Sequence, residues 1–597
     1  MPYPAKTEKQ GVEEWDYKQV DSLARGLNLS VRPDKLQDQE TLICRNVNII
    51  KEQVSVDTGY KRFGPPVVGI PQGTFTYSKT NGITELILIT TETVYKWSDP
   101  KDSWVFVAGA MKTTASLGEA AGTTNIRVVD SVGAVVGAHI GISLDNGDQH
   151  KTTLQSIPDA THIIIADPIP QGRTVAAGAE VLQAPILSGN LDSQVMALNV
   201  QSHDWLAFTN GVDRVQRYDG TTVEDLPGLI NVVARALALY KSCLFLINTI
   251  EDGEAHPRRV RRCDNGDPTN WIDGEGTAGY NDLLDEEDPL QGAEVLGPYL
   301  IVYAERQIIR GEFVNTGGVT FDFQTMIRGE GVISTCSMAD VGDSHIVMCQ
   351  SNIYLYRGGF DLDPVGDNVY YRLYGSKGSM SPANKHKVFA FYVEELDEVW
   401  FFFPDTKAVS GCNRLLRYNV GEKSWTEREF QQEFIGFGFF ESRSSRPWSS
   451  LIGSWRQQIW RWNERTLLSS SPTTHLCCSE ENQVMEYDYV DTLDDGVPIA
   501  YTVETKDFLA PDSIHRFDML EMGIRGIDVL VQYSVDEGIT WVPLGVVNRQ
   551  AMGRVQMHRQ FAFEKVRFRW SGSSSFVLDW FGFSHKEEFL DTLADQE

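Results

Sequence analysis

Leu296-Gly297-Pro298-Tyr299-Leu300-Ile301-Val302-Tyr303 opens a stretch that runs to Gly358 and decides the fold. Gln307-Ile308-Ile309-Arg310-Gly311 comes next, then the polar turn Asn315-Thr316-Gly317-Gly318, then Val319-Thr320-Phe321-Asp322-Phe323-Gln324. Arg328-Gly329-Glu330-Gly331-Val332, His345-Ile346-Val347-Met348 and Ile353-Tyr354-Leu355-Tyr356-Arg357-Gly358 complete it. Each run is short, rich in β-branched and aromatic residues, and bounded by Gly, Asn or Asp. That pattern predicts consecutive antiparallel strands.

The ending of this stretch, a strand closing on an aromatic before a polar turn, recurs along the chain. Val94-Tyr95-Lys96-Trp97-Ser98-Asp99, Val215-Gln216-Arg217-Tyr218-Asp219-Gly220, Leu416-Arg417-Tyr418-Asn419-Val420-Gly421 and Ile459-Trp460-Arg461-Trp462-Asn463 have it, and Ile309-Arg310-Gly311 is a weaker copy. A more apolar run precedes most of them: Leu86 to Ile89, Trp205 to Phe208, His345 to Met348 and Val399 to Phe403. An apolar strand followed by an amphipathic one is a hairpin of a propeller blade, so the chain is read as an all-β protein built on a six-bladed β-propeller.

The order of motifs carries a resemblance. Asp267-Pro268-Thr269-Asn270-Trp271, Asp288-Pro289-Leu290, Leu296 to Arg310, Arg328-Gly329-Glu330-Gly331-Val332 and Ile353 to Gly358 occur in sequence. Upstream lie Ala24-Arg25-Gly26-Leu27-Asn28, Asp38-Gln39-Glu40, Cys44-Arg45-Asn46-Val47-Asn48 and Gly59-Tyr60-Lys61-Arg62. This series, spanning nearly the whole chain, resembles the tail nozzle (tail tubular protein B) and hub family of short-tailed bacteriophages. The resemblance implies a structural, non-enzymatic virion protein assembled in the host cytoplasm. It implies a ring, a hexamer, below the adaptor and portal rings and beside tail fibres or spikes. Packaged DNA would pass through the ring without sequence-specific binding, retained until ejection.

Composition agrees with a large folded protein. At 597 residues the chain exceeds one core and suggests about three or four domains. The formal net charge of −29 excludes a chain that grips nucleic acid through counterion release, but not one whose wall repels passing phosphates. The eight cysteines are scattered without the spacing of a disulfide framework and are read as reduced and buried. Met1 to Val20 is polar and acidic, unlike a signal peptide, and no run approaches the roughly eighteen apolar residues of a membrane helix. No membrane insertion is expected.

The domains are read as follows. Residues 1–64 form an N-terminal extension and platform segment, flexible or partner-bound to about residue 20, with a short helix from Arg32-Pro33-Asp34-Lys35 through Leu42. Residues 65–111 form the first blade. Residues 112–185, rich in Ala, Gly, Thr and Val and lacking Trp, Tyr and Phe, form an inserted small β-barrel or sandwich, a candidate contact to a neighbouring ring or fibre. Residues 186–480 hold the remaining blades. Residues 481–597, whose strands alternate cleanly, form a C-terminal β-sandwich.

Several motifs invite chemistry and are read as structural. Ser534-Val535-Asp536-Glu537-Gly538-Ile539-Thr540-Trp541 looks like the Asp-box hairpin of sialidases, in which Asp caps backbone N–H groups and Gly takes positive φ. Gly274-Glu275-Gly276-Thr277-Ala278-Gly279 matches G-x-G-x-x-G but lacks the strand and helix that a dinucleotide site needs. His475, Cys477 and Cys478 have no second ligand pair nearby. Among 82 carboxylates, pairs such as Glu394-Glu395 and Asp397-Glu398 carry no information. The basic Arg258, Arg259, Arg261 and Arg262 and the acidic Asp285-Glu286-Glu287-Asp288 are read as solvated surface or as complementary charge between ring subunits. No catalytic, cofactor or metal residues are assigned. The competing readings are a sialidase-like or glycan-binding propeller and a distal receptor-binding tail protein.

Overall fold

Short apolar runs broken by Gly, Asn and Asp turns pair into four-stranded antiparallel sheets arranged in a ring. The structure is a computed structural model that describes residues 15–283, 288–316, 319–375, 378–440, 473–488, 491–510 and 514–587. The first sheet comprises Pro71–Ser78, Thr84–Thr90, Val94–Ser98 and Ser103–Phe106. The next four begin with the inner strands Met196–Val200, Val232–Tyr240, Leu290–Leu296 and Met338–Asp340. Phe389–Val393, Glu398–Phe403, Cys412–Asn419 and the first part of Ser424–Phe440 form the sixth. The all-β propeller read from the sequence is therefore present. The recurrent apolar-then-aromatic hairpins fall on the second and third strands of blades, as Thr84–Thr90 with Val94–Ser98 and His345–Met348 with Ile353–Tyr356 show. Ile459 to Asn463 lies outside the described residues.

The ring has a seventh blade where the sequence reading expected six. The end of Ser424–Phe440 pairs with Thr474–Ser479, that strand with Val484–Tyr487, and that strand with Tyr60–Arg62 from the start of the chain. No single window of sequence contains this blade, so no hairpin repeat announces it. It meets the first blade closely. A Cβ on Gly436 would lie 1.8 Å from the Gln72 carbonyl oxygen, and one on Gly438 2.0 Å from that of Thr74, so only glycine permits the contact. Phe402, Phe430, Phe434 and Tyr60 pack between the sixth and seventh blades. Each such buried aromatic contributes about 1.5–3 kcal/mol.

The outer segments fall differently from the sequence reading. Asp16–Val20 is not an extension but pairs with Phe576–Glu587, and Gln53–Val56 pairs with the same strand. Glu40–Arg45 pairs with Tyr501–Thr505, which pairs with Lys565–Gly572. Residues 15–56 thus supply strands to the C-terminal sandwich, while residues 60–62 belong to the propeller. Val484–Tyr487, assigned to the sandwich by sequence, lies in the seventh blade. No helix forms from Arg32 to Leu42. Residues 32–39 are turns that lead into the strand Glu40–Arg45, with Lys35 N–H donating to the Arg32 carbonyl and Asp507 N–H to that of Pro33. Among their side chains only Leu36 is a buried apolar one, too few for an amphipathic face.

One strand, His515–Ser534, serves both layers of the sandwich. Its first half pairs with Phe576–Glu587 and its last residues with Lys565–Gly572. Register shifts around Ile524, Gly526 and Val529 bend it between them. The sandwich core of Phe517, Met522, Val531, Phe568, Trp570 and Phe581 is continuous with the fifth and sixth blades through Ile346, Met348, Phe401 and Trp425.

The insert is a closed barrel. Its strands follow the order Lys112–Thr114, Glu180–Gln183, His139–Ser143, Gln149–Asp159, His162–Ile165 and Asn125–Arg127, and a bridge between Ala115 and Val128 closes it. Ile126, Ile140, Ile142, Leu154, Ile163 and Val181 fill its own core. Entry and exit lie side by side, with Gly109 N–H donating to the Gln183 carbonyl at 2.7 Å. Replacing residues 112–182 with a short Gly-Ser linker is therefore expected to leave the propeller folded, with an unchanged β-sheet circular dichroism band and a modestly lower melting midpoint. An insoluble product would mean that the barrel is part of the main core.

Candidate functional site: the propeller mouth and the outer edges

The motifs first singled out resolve as braces. The Asp536 carboxylate accepts from Ser534 Oγ at 2.7 Å and from Thr540 N–H at 2.8 Å, and Gly538 has φ +88°. These hydrogen bonds hold its carboxyl down at about 2. Trp541 stacks under Arg569, 3.6 Å from the guanidinium carbon to the ring centre. Asp536→Ala should lower the melting midpoint slightly and leave every binding property intact; a change in ligand binding would contradict a purely structural role. The Gly274 to Gly279 loop leads into the strand Gly279–Asp282, not into a helix. Cys477 and Cys478 are successive strand residues, both buried, and burial pushes the Cys477 thiol up to about 12. Among the described residues no group of three or more His, Cys, Asp or Glu side chains could hold a metal ion.

Two arginines of the third blade's basic run form ion pairs within the blade. Arg259 pairs with Asp282 at 2.8 Å and with Glu251, Arg261 pairs with Glu251 at 2.6 Å, and Arg262 donates to the Thr277 carbonyl and Asn281. Asp285, Glu286 and Glu287 lie outside the described residues.

Deeper in the molecule, Arg417 and Arg428 converge on Asp57. Arg417 bonds it at 2.6 and 2.9 Å, Arg428 forms a second ion pair, and Tyr487 donates to it at 3.0 Å. All three charged groups are buried. Burial opposes the charge on Asp57, but the two guanidiniums outweigh it and hold its carboxyl at about 2. Arg428 also reaches Asp494, whose carboxyl burial lifts to about 6. This cluster ties the N-terminal segment to the sixth and seventh blades.

A cavity of about 200 Å³ opens at the end of the propeller where the inner strands begin. Side chains lace across the axis at this mouth. Gln194, just before the second inner strand, accepts from Cys336 N–H at 3.1 Å and donates to the Val388 carbonyl at 2.8 Å. Arg235, on the third inner strand, donates from Nε to Thr335 Oγ1 at 2.9 Å. Among the described residues Arg235 makes no ion pair and no other side-chain hydrogen bond, although burial pulls its guanidinium below the usual arginine value. Asn248 sits beside it at a bulge, with φ +55° and its Nδ2 donating to the Leu290 carbonyl. Asp192 at the rim is held by His386 and Lys387 at 3.1 and 3.2 Å. The sequence reading missed this site. Its one signal was a lone charge in the apolar run Val232-Val233-Ala234-Arg235-Ala236-Leu237.

On the sandwich, Val542–Phe563 pairs along its length with His515–Ser534 and, among the described residues, with nothing on its other side. This 22-residue edge strand carries Arg549, Arg554 and Arg559 and no acidic residue, on a chain of net charge −29. Arg554 pairs with Glu521 of the neighbouring strand.

No family model and no curated protein matches the chain. Solved structures that it is similar to include the extracellular domain of the B. thetaiotaomicron protein BT4673, at 11% identity and TM-score 0.25, over 61% of this chain and 46% of that one. The chain thus spans less than half the length of that relative. The exo-beta-1,3-galactanase of Phanerochaete chrysosporium follows, at 8% identity and TM-score 0.22, over 67% and 96%. Hsv2 of Kluyveromyces lactis stands at 10% and 0.25, over 61% and 98%. Likeness this distant bears on no ligand or activity.

Proposed function

We propose that this chain is a structural subunit of a short phage tail: the nozzle ring that carries the genome's exit channel, retains the DNA and opens for ejection. The observation that carries this reading is how the chain's beginning is woven into its end. Residues 15–56 add strands to the C-terminal sandwich, Tyr60–Arg62 closes the propeller, and Asp57 locks the two together. Such a frame suits a subunit that transmits force without opening. The resemblance-bearing runs Gly26-Leu27 and Gly59-Tyr60-Lys61-Arg62 lie at these joints.

Side chains cross the propeller's own axis at its mouth, so in this reading DNA passes between copies of the chain, along walls whose negative charge repels phosphates. The basic edge strand Val542–Phe563 is the natural contact to an acidic neighbouring copy. The adaptor and portal above and fibres or spikes beside it are the further partners.

Native mass spectrometry and negative-stain imaging test the ring, on the chain alone and with adaptor or portal rings. The expected result is a closed ring, weakened when Arg549 and Arg559 are both changed to Glu while the melting midpoint holds. A chain that stays monomeric at high concentration and binds no adaptor or portal ring would overturn the proposal. The reading of a glycan-binding propeller is favoured by one observation, the cavity around Arg235.

A further inference from the structure

We propose that the cavity at the propeller mouth binds a small acidic saccharide, with its carboxylate on Arg235 and its hydroxyls on Asn248 and Asp192. The inference is independent of the nozzle reading.

Arg235 is the starting point. A half-buried guanidinium has lost much of its water, and that loss is ordinarily offset by a carboxylate. Several other inward arginines have one: Arg417 and Arg428 share Asp57, Arg414 pairs with Asp405, and Arg567 with Asp507, whereas Arg262 is satisfied by the Thr277 carbonyl and Asn281. Arg235 has only the neutral Thr335 hydroxyl on Nε, which leaves its two terminal nitrogens for a ligand. Those nitrogens form a planar fork that matches a carboxylate in two parallel hydrogen bonds.

The remaining wall selects the rest of the ligand. Asn248 is held toward the cavity by a left-handed residue conformation inside a strand, a costly arrangement that persists where the surroundings impose it. Its Oδ1 accepts no hydrogen bond among the described residues. Asp192 offers carboxylate oxygens at the rim, kept in place by His386 and Lys387. Hydroxyl groups, which donate and accept, suit these acceptors; a second anionic group does not. Arg235 is the one cation among the described residues that line the cavity, and the Glu305 charge acts on it, so a dianion such as phosphate would be under-neutralised. A volume of about 200 Å³ suits one sugar ring, below the roughly 300–1,000 Å³ of drug-sized sites.

Saturation-transfer NMR on the full-length chain tests the assignment, with glucuronate, N-acetylneuraminate, glucose and inorganic phosphate as probes. The expected result is transfer to at least one acidic sugar, none to glucose, and no displacement by equimolar phosphate. Arg235→Gln should weaken binding by about tenfold or more, and Arg235→Lys, which keeps the charge but not the fork, should restore only part of it. Asn248→Ala, which removes the free acceptor, should weaken it several-fold without touching the charge. Thermal melting of each variant separates lost binding from lost folding. If Arg235→Gln does not fold, the Asn248→Ala titration decides. No transfer to either acidic sugar, equal transfer to glucose, displacement by phosphate, or full binding by folded Arg235→Gln would each overturn the assignment.

Discussion

Asp57→Ala should be the most damaging single substitution in the chain, lowering stability by about 3–5 kcal/mol. Asp57 is fully buried, and its carboxylate answers two guanidiniums that are themselves almost fully buried. Removing it leaves Arg417 without a carboxylate and Arg428 with Asp494 alone, both still buried. Asp57→Asn retains the shape and some hydrogen bonds but not the charge, and falls between. The pH dependence follows from the depressed carboxyl. Its folded value is about 2, against an unfolded value of about 3.9. Its contribution is complete above the unfolded value and is lost as pH falls through the folded one, from about pH 4 to 2. Asp494, lifted to about 6, acts in the opposite sense and adds stability as pH falls from about 6 to 4. Urea melts followed by tryptophan fluorescence at pH 7 and pH 3 measure both effects. An Asp57→Ala midpoint equal to the wild type would show that the buried pair carries no net stability.

Removing residues 1–64 should have a larger effect, abolishing the cooperative fold. A sequence-based reading would trim this segment as an extension, yet it supplies Tyr60–Arg62 to the seventh blade and Asp57 to the buried cluster. It also supplies Asp16–Val20, Glu40–Arg45 and Gln53–Val56 to the sandwich. The truncated chain would expose Val484–Tyr487 as an unpaired edge and strip apolar cover from Val503, Leu578 and Trp425. Expression with size-exclusion chromatography and circular dichroism checks this. A soluble truncated chain with an intact melting transition would mean that the propeller closes without its first strand.

The legibility of the fold tracks how local each feature is. Blades such as Leu290–Leu296 to Val319–Arg328 are contiguous hairpins, so alternation and turn residues announce them. The barrel was legible because residues 112–185 lack Trp, Tyr and Phe, a shift of composition that the sequence itself displays. The seventh blade joins residues 60–62 to residues 434–487, and no periodicity spans that gap. The expected helix near Arg32 had a favourable start but no apolar face to bury. The site was less legible still. Arg235 stands out in sequence only as a lone charge in an apolar run, and its lack of a carboxylate partner leaves no mark there. Asp57 was one carboxylate among 82, and its importance comes from Arg417 and Arg428, some 360 positions away.

The closing strand also sets a schedule for synthesis. Phe63 and its contact Gln483 are 420 residues apart, so the start of the chain leaves the ribosome long before its partner exists. At roughly 5–20 residues per second, that start waits about 20–80 s. Throughout the interval the nascent propeller is an open arc with bare edges at both ends, in a crowd of identical chains. Folding yield is thus governed by whether those edges are shielded until translation ends, and slower decoding or a scarcity of chaperones would convert the same sequence from folded subunit to aggregate.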